Sequence, residues 1–128
     1  MIVHDREAHG DCLEIVRLFP EAKGVFHCFS GSAETAEELL RRGWYLGFDG
    51  PVTYKNARRA LEVLAITPLD RILVETDSPY MSLVPLRGKR NDSSNLVYII
   101  NKIAEVKGIA PEEIERITFE NGKRLFQI

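Results

Sequence analysis

The feature that most constrains the fold of this chain is a repeated alternation between short apolar runs and segments with helical periodicity. Strand and helix alternate four times, and the strand-like runs are "IVH", "KGVFHCFSG", "WYLGFDG" and "DRILVETD". Parallel strands need long crossover connections, which helices usually supply, so this order predicts an α/β protein with a parallel sheet. The sheet is either open and doubly wound or part of a (β/α)8 barrel.

The helical segments carry recognisable start and stop signals. Ser32 and Gly43 are typical of the first and last positions of a second helix, and Gly108 ends a later one. Pro20 ends the first helix, Pro111 begins a fifth one, and a last short helix ends at "RLFQI". The apolar stripes of the first and fourth helices are Cys12, Ile15, Val16 and Phe19, and Leu96, Ile99, Ile100 and Ile103.

Length and composition place the chain among ordinary globular proteins. Its 128 residues, 45% of them hydrophobic, predict one domain spanning 1–128. A net charge of −2 gives no global field that would attract nucleic acid or an anionic membrane. The two cysteines lack CxxC spacing, and a charge by position 5 argues against a secretion signal or membrane span. We therefore expect a cytoplasmic protein.

Three predicted strands end in residues that bind metals. Carboxyl ends of parallel strands meet at one edge of a sheet, so His4, His27 and Asp77 can approach one point. This residue set suits Zn, Mn, Fe or, less well, Mg, and such an ion activates a bound water. The spacing predicts a metal site in which Asp77 also accepts the proton of that water.

Other residues near these ends have two interpretations. Glu75 shares a predicted strand face with Asp77, which suggests a supporting partner behind the metal ligands. Asp49 could be a fourth ligand, although "DGP" is more typical of a turn, and Cys28 is expected to pack rather than bind. A single histidine at a strand end is usually structural, and only the convergence of three strand ends favours metal binding. His9 lies on the first predicted helix and is expected on the surface.

A basic segment follows the fourth strand. Arg87, Lys89 and Arg90 lie within four residues and are followed by Asn91. Such a segment is either a solvated charged loop or a clamp for substrate phosphates, and the residues alone leave both open.

These motifs together resemble those of the TatD family of metal-dependent deoxyribonucleases, which are (β/α)8-barrel hydrolases. The resembling stretches are "IVHDREA", "GVFHCFSGS", "GFDGPVTYKNA", "DRILVETDSPY", "RGKRN" and "TFENGKRLF". The resemblance implies phosphodiester hydrolysis, with His4 and His27 on one metal and Asp77 on a neighbouring one. It also places Arg6, Glu75 and the Arg87–Asn91 loop near the site. It further implies one or two divalent ions (Mg, Mn or Zn) and single-stranded DNA as substrate.

The chain departs from that family in length, since a typical barrel has ~250 residues. The motifs correspond to strands five to eight, without the opening His-x-His or the bridging carboxylate, so one metal ion or none is expected in this chain alone. A truncated product is the leading interpretation; a self-closing homodimer or a partner chain that completes the barrel are the others. An incomplete, inactive fragment and a metal-dependent esterase or amidase remain alternative functions.

Overall fold

The computed structural model describes all 128 residues and contains one four-stranded parallel sheet. The strands are β1 (Ile2–His4), β2 (Val25–His27), β3 (Tyr45–Phe48) and β4 (Ile72–Val74), and each pairs with the next in sequence. The predicted parallel sheet is therefore confirmed. Because consecutive strands are neighbours and each connection contains a helix, all four carboxyl ends lie along one edge.

Five α-helices accompany the sheet: α1 (His9–Leu18), α2 (Ala33–Arg41), α3 (Arg58–Ile66), α4 (Leu96–Lys107) and α5 (Pro111–Phe126). The predicted helix ends are confirmed at two glycines, since Gly43 and Gly108 have φ of +82° and +67°. The Oγ atom of Ser32 accepts a hydrogen bond of 3.3 Å from the backbone N–H of Thr35, as expected of a residue that begins a helix.

The predicted separate short helix at the C-terminus is wrong, because α5 continues for 16 residues from Pro111 to Phe126. Asn121 and Gly122, in the middle of this helix, lie on the side that faces β4. Asn121 donates hydrogen bonds of 2.8 Å to the backbone oxygens of Leu69 and Ile72. Tertiary contacts with the sheet thus offset the low helix propensity of this pair.

The core lies on one face of the sheet. Phe26, Leu46 and Ile72 stand side by side on β2, β3 and β4, and all three are buried beneath the helices. Trp44 packs edge-on against Phe26, with ring centroids 5.2 Å apart. This face holds β2 and β3 rigidly, which fixes the positions of the residues at their carboxyl ends.

The opposite face of the sheet is open. An apolar groove of about 790 Å³ lies between this face, represented by Ile2, Val25 and Leu73, and helices α4 and α5. The predicted apolar stripe of α1 is only partly buried, since Val16 is in the core whereas Ile15 and Phe19 are exposed. The reason is that α1 accompanies β1, an edge strand without a further neighbour in this chain.

No helix of this structure combines the length and apolar character that crossing a membrane requires.

Two leucines provide a test of where the core lies. Leu64 of α3 is fully buried, whereas Leu18 at the end of α1 is 75% exposed. We predict that Leu64→Ala lowers the free energy of unfolding by about 2–5 kcal/mol, because it leaves a cavity, and that Leu18→Ala changes it by about 0.5 kcal/mol or less. Urea denaturation of the two variants measures both; equal losses would contradict this packing.

Candidate active site

Two histidines meet at the carboxyl edge of the sheet. His4 ends β1 and His27 ends β2, and the two residues are paired in the parallel register. Their ring centroids are 5.6 Å apart and the rings are inclined by 31°. The strand register therefore brings together two of the three predicted metal ligands.

Glu75 fixes the orientation of His27. Its backbone N–H donates to the oxygen of Phe48 over 3.0 Å, which continues the pairing of β3 with β4 by one residue. One carboxylate oxygen lies 2.6 Å from Nδ1 of His27, and the other accepts a hydrogen bond from the backbone N–H of Cys28. With Nδ1 held by a carboxylate, Nε2 is the ring nitrogen left to face the site.

Gly47 leaves the space that the Glu75 carboxylate occupies. A Cβ atom built on Gly47 would lie 2.7 Å from Cδ of Glu75, closer than such atoms approach. The site thus depends on three strands: β4 leads into Glu75, β2 supplies His27, and β3 leaves room between them.

Asp77 reaches the site from a loop and not from a strand, which corrects the prediction that it continues the face of Leu73 and Glu75. The strand β4 ends at Val74, and Asp77 has a φ of +51°, a conformation that Asp adopts more readily than most residues. Its Oδ1 atom lies 3.3 Å from Nε2 of His27. The side chain of His27 therefore lies between two carboxylates.

The electrostatics of His27 follow from this arrangement. Partial burial lowers its pKa, but the hydrogen bond and charge of Glu75, together with the charge of Asp77, outweigh burial and raise the pKa above its usual value. The same pair of carboxylates that favours a proton on His27 favours a cation beside it.

Asp49 and Cys28 form a second pair at this edge, which sequence reasoning missed. The backbone after Asp49 does turn, into a short 3-10 helix at Gly50–Thr53, but the Asp49 side chain is only 3% exposed. The thiol of Cys28 donates to Oδ2 of Asp49 over 2.9 Å. Burial, above all, raises the pKa of Asp49 to about 6 and also raises the pKa of the Cys28 thiol. The available signal was that both residues directly follow adjacent strands.

His9 is half-buried and not fully on the surface as expected, because its Nδ1 atom lies 2.6 Å from Oδ2 of the buried Asp5.

The predicted metal ligands fit a divalent ion only in part. His27 offers Nε2 beside the carboxylate of Asp77, which is the donor chemistry of Zn or Mn sites. However, no three His, Cys, Asp or Glu side chains of this chain form a group that could hold a metal ion. His4 lies at the exposed end of the edge strand, beside the His27 ring, and forms no hydrogen bond or ion pair with Asp77. The three predicted ligands therefore line one cleft without forming a complete metal site by themselves.

A cleft of about 460 Å³ opens above these residues. Arg6 lines it but makes no hydrogen bond to His27 or Glu75, so the predicted support of the metal ligands by Arg6 is not seen. Arg59 of α3 lines the same cleft and was not predicted. Tyr54 forms part of its wall, and the guanidinium of Arg87 lies 4.1 Å from the centroid of the Tyr54 ring. The cleft is thus lined by two arginines and an aromatic ring, together with four carboxylates: Asp5, Glu7, Asp49 and Asp77.

The rest of the basic loop divides into two parts. Lys89 and Arg90 are exposed and do not line the cleft. Asn91 is only 1% exposed, and its amide donates to the backbone oxygens of Thr76 and Tyr80. The predicted phosphate contact of Asn91 is wrong for a physical reason: the amide is consumed by contacts within the protein.

The chain as a whole has counterparts among known proteins. The family model described as "TatD related DNase" matches residues 1–127. The chain belongs to the TatD family. The resemblance of its motifs to that family is therefore confirmed.

Relatives of the chain carry the names of metal-dependent hydrolases. It is 46% identical to the uncharacterized metal-dependent hydrolase YabD of Bacillus subtilis, covering 100% of this chain and 51% of that protein. It is 44% identical to the uncharacterized metal-dependent hydrolase YcfH of Escherichia coli, covering 100% of this chain and 49% of that protein. The chain thus spans about half the length of the curated relatives it matches.

Solved TatD structures confirm the fold class. The crystal structure of the TatD homologue YjjV of Escherichia coli superposes with a TM-score of 0.90 at 30% identity, covering 99% of this chain and 49% of that one. A TatD family hydrolase of Entamoeba histolytica, 24% identical, shares the fold with a TM-score of 0.84, covering 98% of this chain and 50% of that one. This TatD chain has the architecture of half a TIM-type barrel.

The contact between Glu75 and His27 can be tested by titration. We predict that Glu75→Gln lowers the pKa of His27, because the variant loses the carboxylate charge that favours the imidazolium. NMR titration of the His27 ring protons measures the change. An unchanged pKa would show that Glu75 does not act on His27.

The buried carboxyl of Asp49 predicts a pH-dependent stability. A pKa of about 6, raised from 3.8, means that the folded chain disfavours ionised Asp49. The burial of Asp49 therefore lowers the free energy of unfolding by its full amount above about pH 6, the pKa of Asp49 in the folded chain. This loss disappears as pH falls below 3.8, the pKa of Asp49 in the unfolded chain. We predict that Asp49→Asn raises the free energy of unfolding by roughly 1–3 kcal/mol near neutral pH, and that the gain vanishes near pH 4.

Urea denaturation of wild type and Asp49→Asn at the two pH values checks this prediction. A variant less stable than wild type near neutral pH would instead mean that the bond to the Cys28 thiol outweighs the burial of charge.

Proposed function

We propose that this TatD chain is a divalent-metal-dependent hydrolase that cleaves phosphodiester bonds of DNA, with its active site at the carboxyl ends of the strands. The observation that carries the proposal is His27, held at Nδ1 by Glu75 and facing Asp77 with Nε2, at the base of a cleft bordered by arginines. Membership of a family described as TatD-related DNase supports the substrate class.

Each residue of the site has a separate role in the proposed reaction. His4, His27 and Asp77 are the side chains that would hold Mg, Mn or Zn. When bound, such an ion supplies a water of lowered pKa and polarises the phosphoryl oxygen. Glu75 keeps the proton on Nδ1 of His27 and so leaves Nε2 free to bind. Asp77, whose side chain is 39% exposed toward the cleft, accepts the proton that the attacking water loses.

The cleft lining contains, beside its carboxylates, groups that can bind a single-stranded nucleic acid. Arg6 and Arg59 can neutralise phosphates, and Tyr54 with the stacked Arg87 offers a flat surface for a base. Lys89 and Arg90 lie outside the cleft, where they can contact a strand that extends beyond it.

A second candidate function follows from the incomplete ligand set. Because no three ligating side chains come together in this chain, it could instead form a partial site that becomes competent only when a second copy or another chain completes the barrel. In that case the chain alone would bind metal weakly and would not turn over substrate.

Asp77 is the residue on which the hydrolysis depends. We predict that the purified chain, supplied with Mn, cleaves a fluorescent single-stranded oligonucleotide, and that Asp77→Asn lowers the rate at least ~100-fold by removing the proton acceptor. Asp70→Asn is the matched control, because Asp70 lies before β4 at the opposite edge of the sheet. Equal rates for wild type and Asp77→Asn would contradict the proposal.

Two further outcomes discriminate the alternatives. Absence of metal-dependent cleavage by the wild-type chain would favour the incomplete site. Faster hydrolysis of a neutral carboxylic ester than of a phosphodiester, insensitive to salt, would favour an esterase, since a substrate bound through phosphates is lost as salt rises.

A further inference from the structure

The loop that carries Asp77 has an unusual backbone for its position. Asp77 has a φ of +51°, and within the loop the N–H of Tyr80 donates to the oxygen of Asp77 over 3.0 Å. The last backbone hydrogen bond between this segment and the sheet is the one from the N–H of Glu75 to the oxygen of Phe48. A left-handed residue beyond the end of a strand needs surrounding contacts that keep it in place.

Asn91 provides those contacts. Its Nδ2 atom donates to the oxygen of Thr76 over 2.6 Å and to the oxygen of Tyr80 over 2.7 Å. Its backbone N–H donates to the oxygen of Pro79 over 3.1 Å. The three accepting oxygens lie on both sides of Asp77 in the sequence, so a single residue fastens the whole loop.

Asn91 is itself braced from the core. Its Oδ1 atom accepts hydrogen bonds from Nδ2 of Asn95 over 2.9 Å and from the N–H of Asp92 over 3.0 Å. Asn95 is buried and directly precedes α4, whose residues Ile99 and Ile103 are in the core. The position requires two donors and an acceptor on one short side chain, and only an amide offers that combination.

We propose that Asn91 is a positioning residue for Asp77: its buried amide holds the loop so that the Asp77 carboxylate stays beside His27. The functional meaning of this role rests on the proposed function, in which Asp77 binds metal and accepts a proton. The positioning itself is a property of the chain without metal or substrate, and it replaces the phosphate contact that the sequence suggested.

Asn121 of α5, which contacts the beginning of β4, provides a matched control. Asn121 is 1% exposed, as Asn91 is, and its amide also donates to two backbone oxygens, those of Leu69 and Ile72, each over 2.8 Å. Loss of either amide removes two buried hydrogen bonds, but only Asn91 is joined to the loop of Asp77.

The test compares Asn91→Asp with Asn121→Asp, which keep the side-chain size and remove the two donors. Backbone ¹⁵N relaxation, recorded on the metal-free chain, gives the order parameter of each amide. We expect both variants to lose stability toward urea. The Asp77 amide should fall from a rigid value of about 0.85 to below about 0.6 only in Asn91→Asp.

An Asp77 order parameter unchanged in Asn91→Asp, or lowered equally in Asn121→Asp, would overturn the positioning role. If Asn91→Asp does not fold, Asn95→Ala removes the brace on Oδ1 while leaving both donors of Asn91. It should lower the Asp77 order parameter by a smaller amount, and no change would again overturn the proposal. Because neither metal nor DNA is present, failure here is distinct from failure of the proposed hydrolysis.

Discussion

The Glu75 carboxylate is the group on which the rest of the site depends. It lies over Gly47 of β3, binds Nδ1 of His27 at the end of β2, and accepts the N–H of Cys28. A largely buried carboxylate is stable only when its oxygens accept hydrogen bonds. The contacts with His27 and Cys28 therefore hold the Glu75 carboxylate in place, and the carboxylate in turn holds the His27 ring. The orientation of His27, and hence the direction in which Nε2 points, follows from this one arrangement.

The two faces of the sheet differ in how they are covered. One face is covered by helices and buries Phe26, Leu46 and Ile72, whereas the other face carries Ile2, Val25 and Leu73 toward an open groove. In the solved TatD homologue from Escherichia coli, this chain covers 49% of the polypeptide. The open face agrees with this half coverage, since a closed barrel covers its inner face.

Local patterns were sufficient to predict most of the fold. The alternation of strands and helices, the start of α2 at Ser32 and the ends at Gly43 and Gly108 depend on neighbours in sequence, and the structure confirms them. The predicted separate last helix is wrong, because α5 continues through Asn121, a poor helix former whose contact with β4 cannot be seen in the sequence.

The residue types at the site and the support of His27 by Glu75 could be predicted, whereas the contacts of Asp49 and Asn91 could not. Strand ends identified His4 and His27, because register in a parallel sheet places such residues side by side. Asp49 and Asn91 were misjudged, since a polar residue in a "DGP" or "RGKRN" stretch is usually solvated, and only the tertiary fold buries it.

The most direct test of how His27 is oriented is the ¹⁵N spectrum of its ring during titration of the chain with Zn. We predict that Nδ1 keeps the proton shared with Glu75, while Zn shifts the Nε2 resonance far more than the Nδ1 resonance. A proton on Nε2 in the neutral ring, or a larger Zn-dependent shift at Nδ1 than at Nε2, would contradict this orientation.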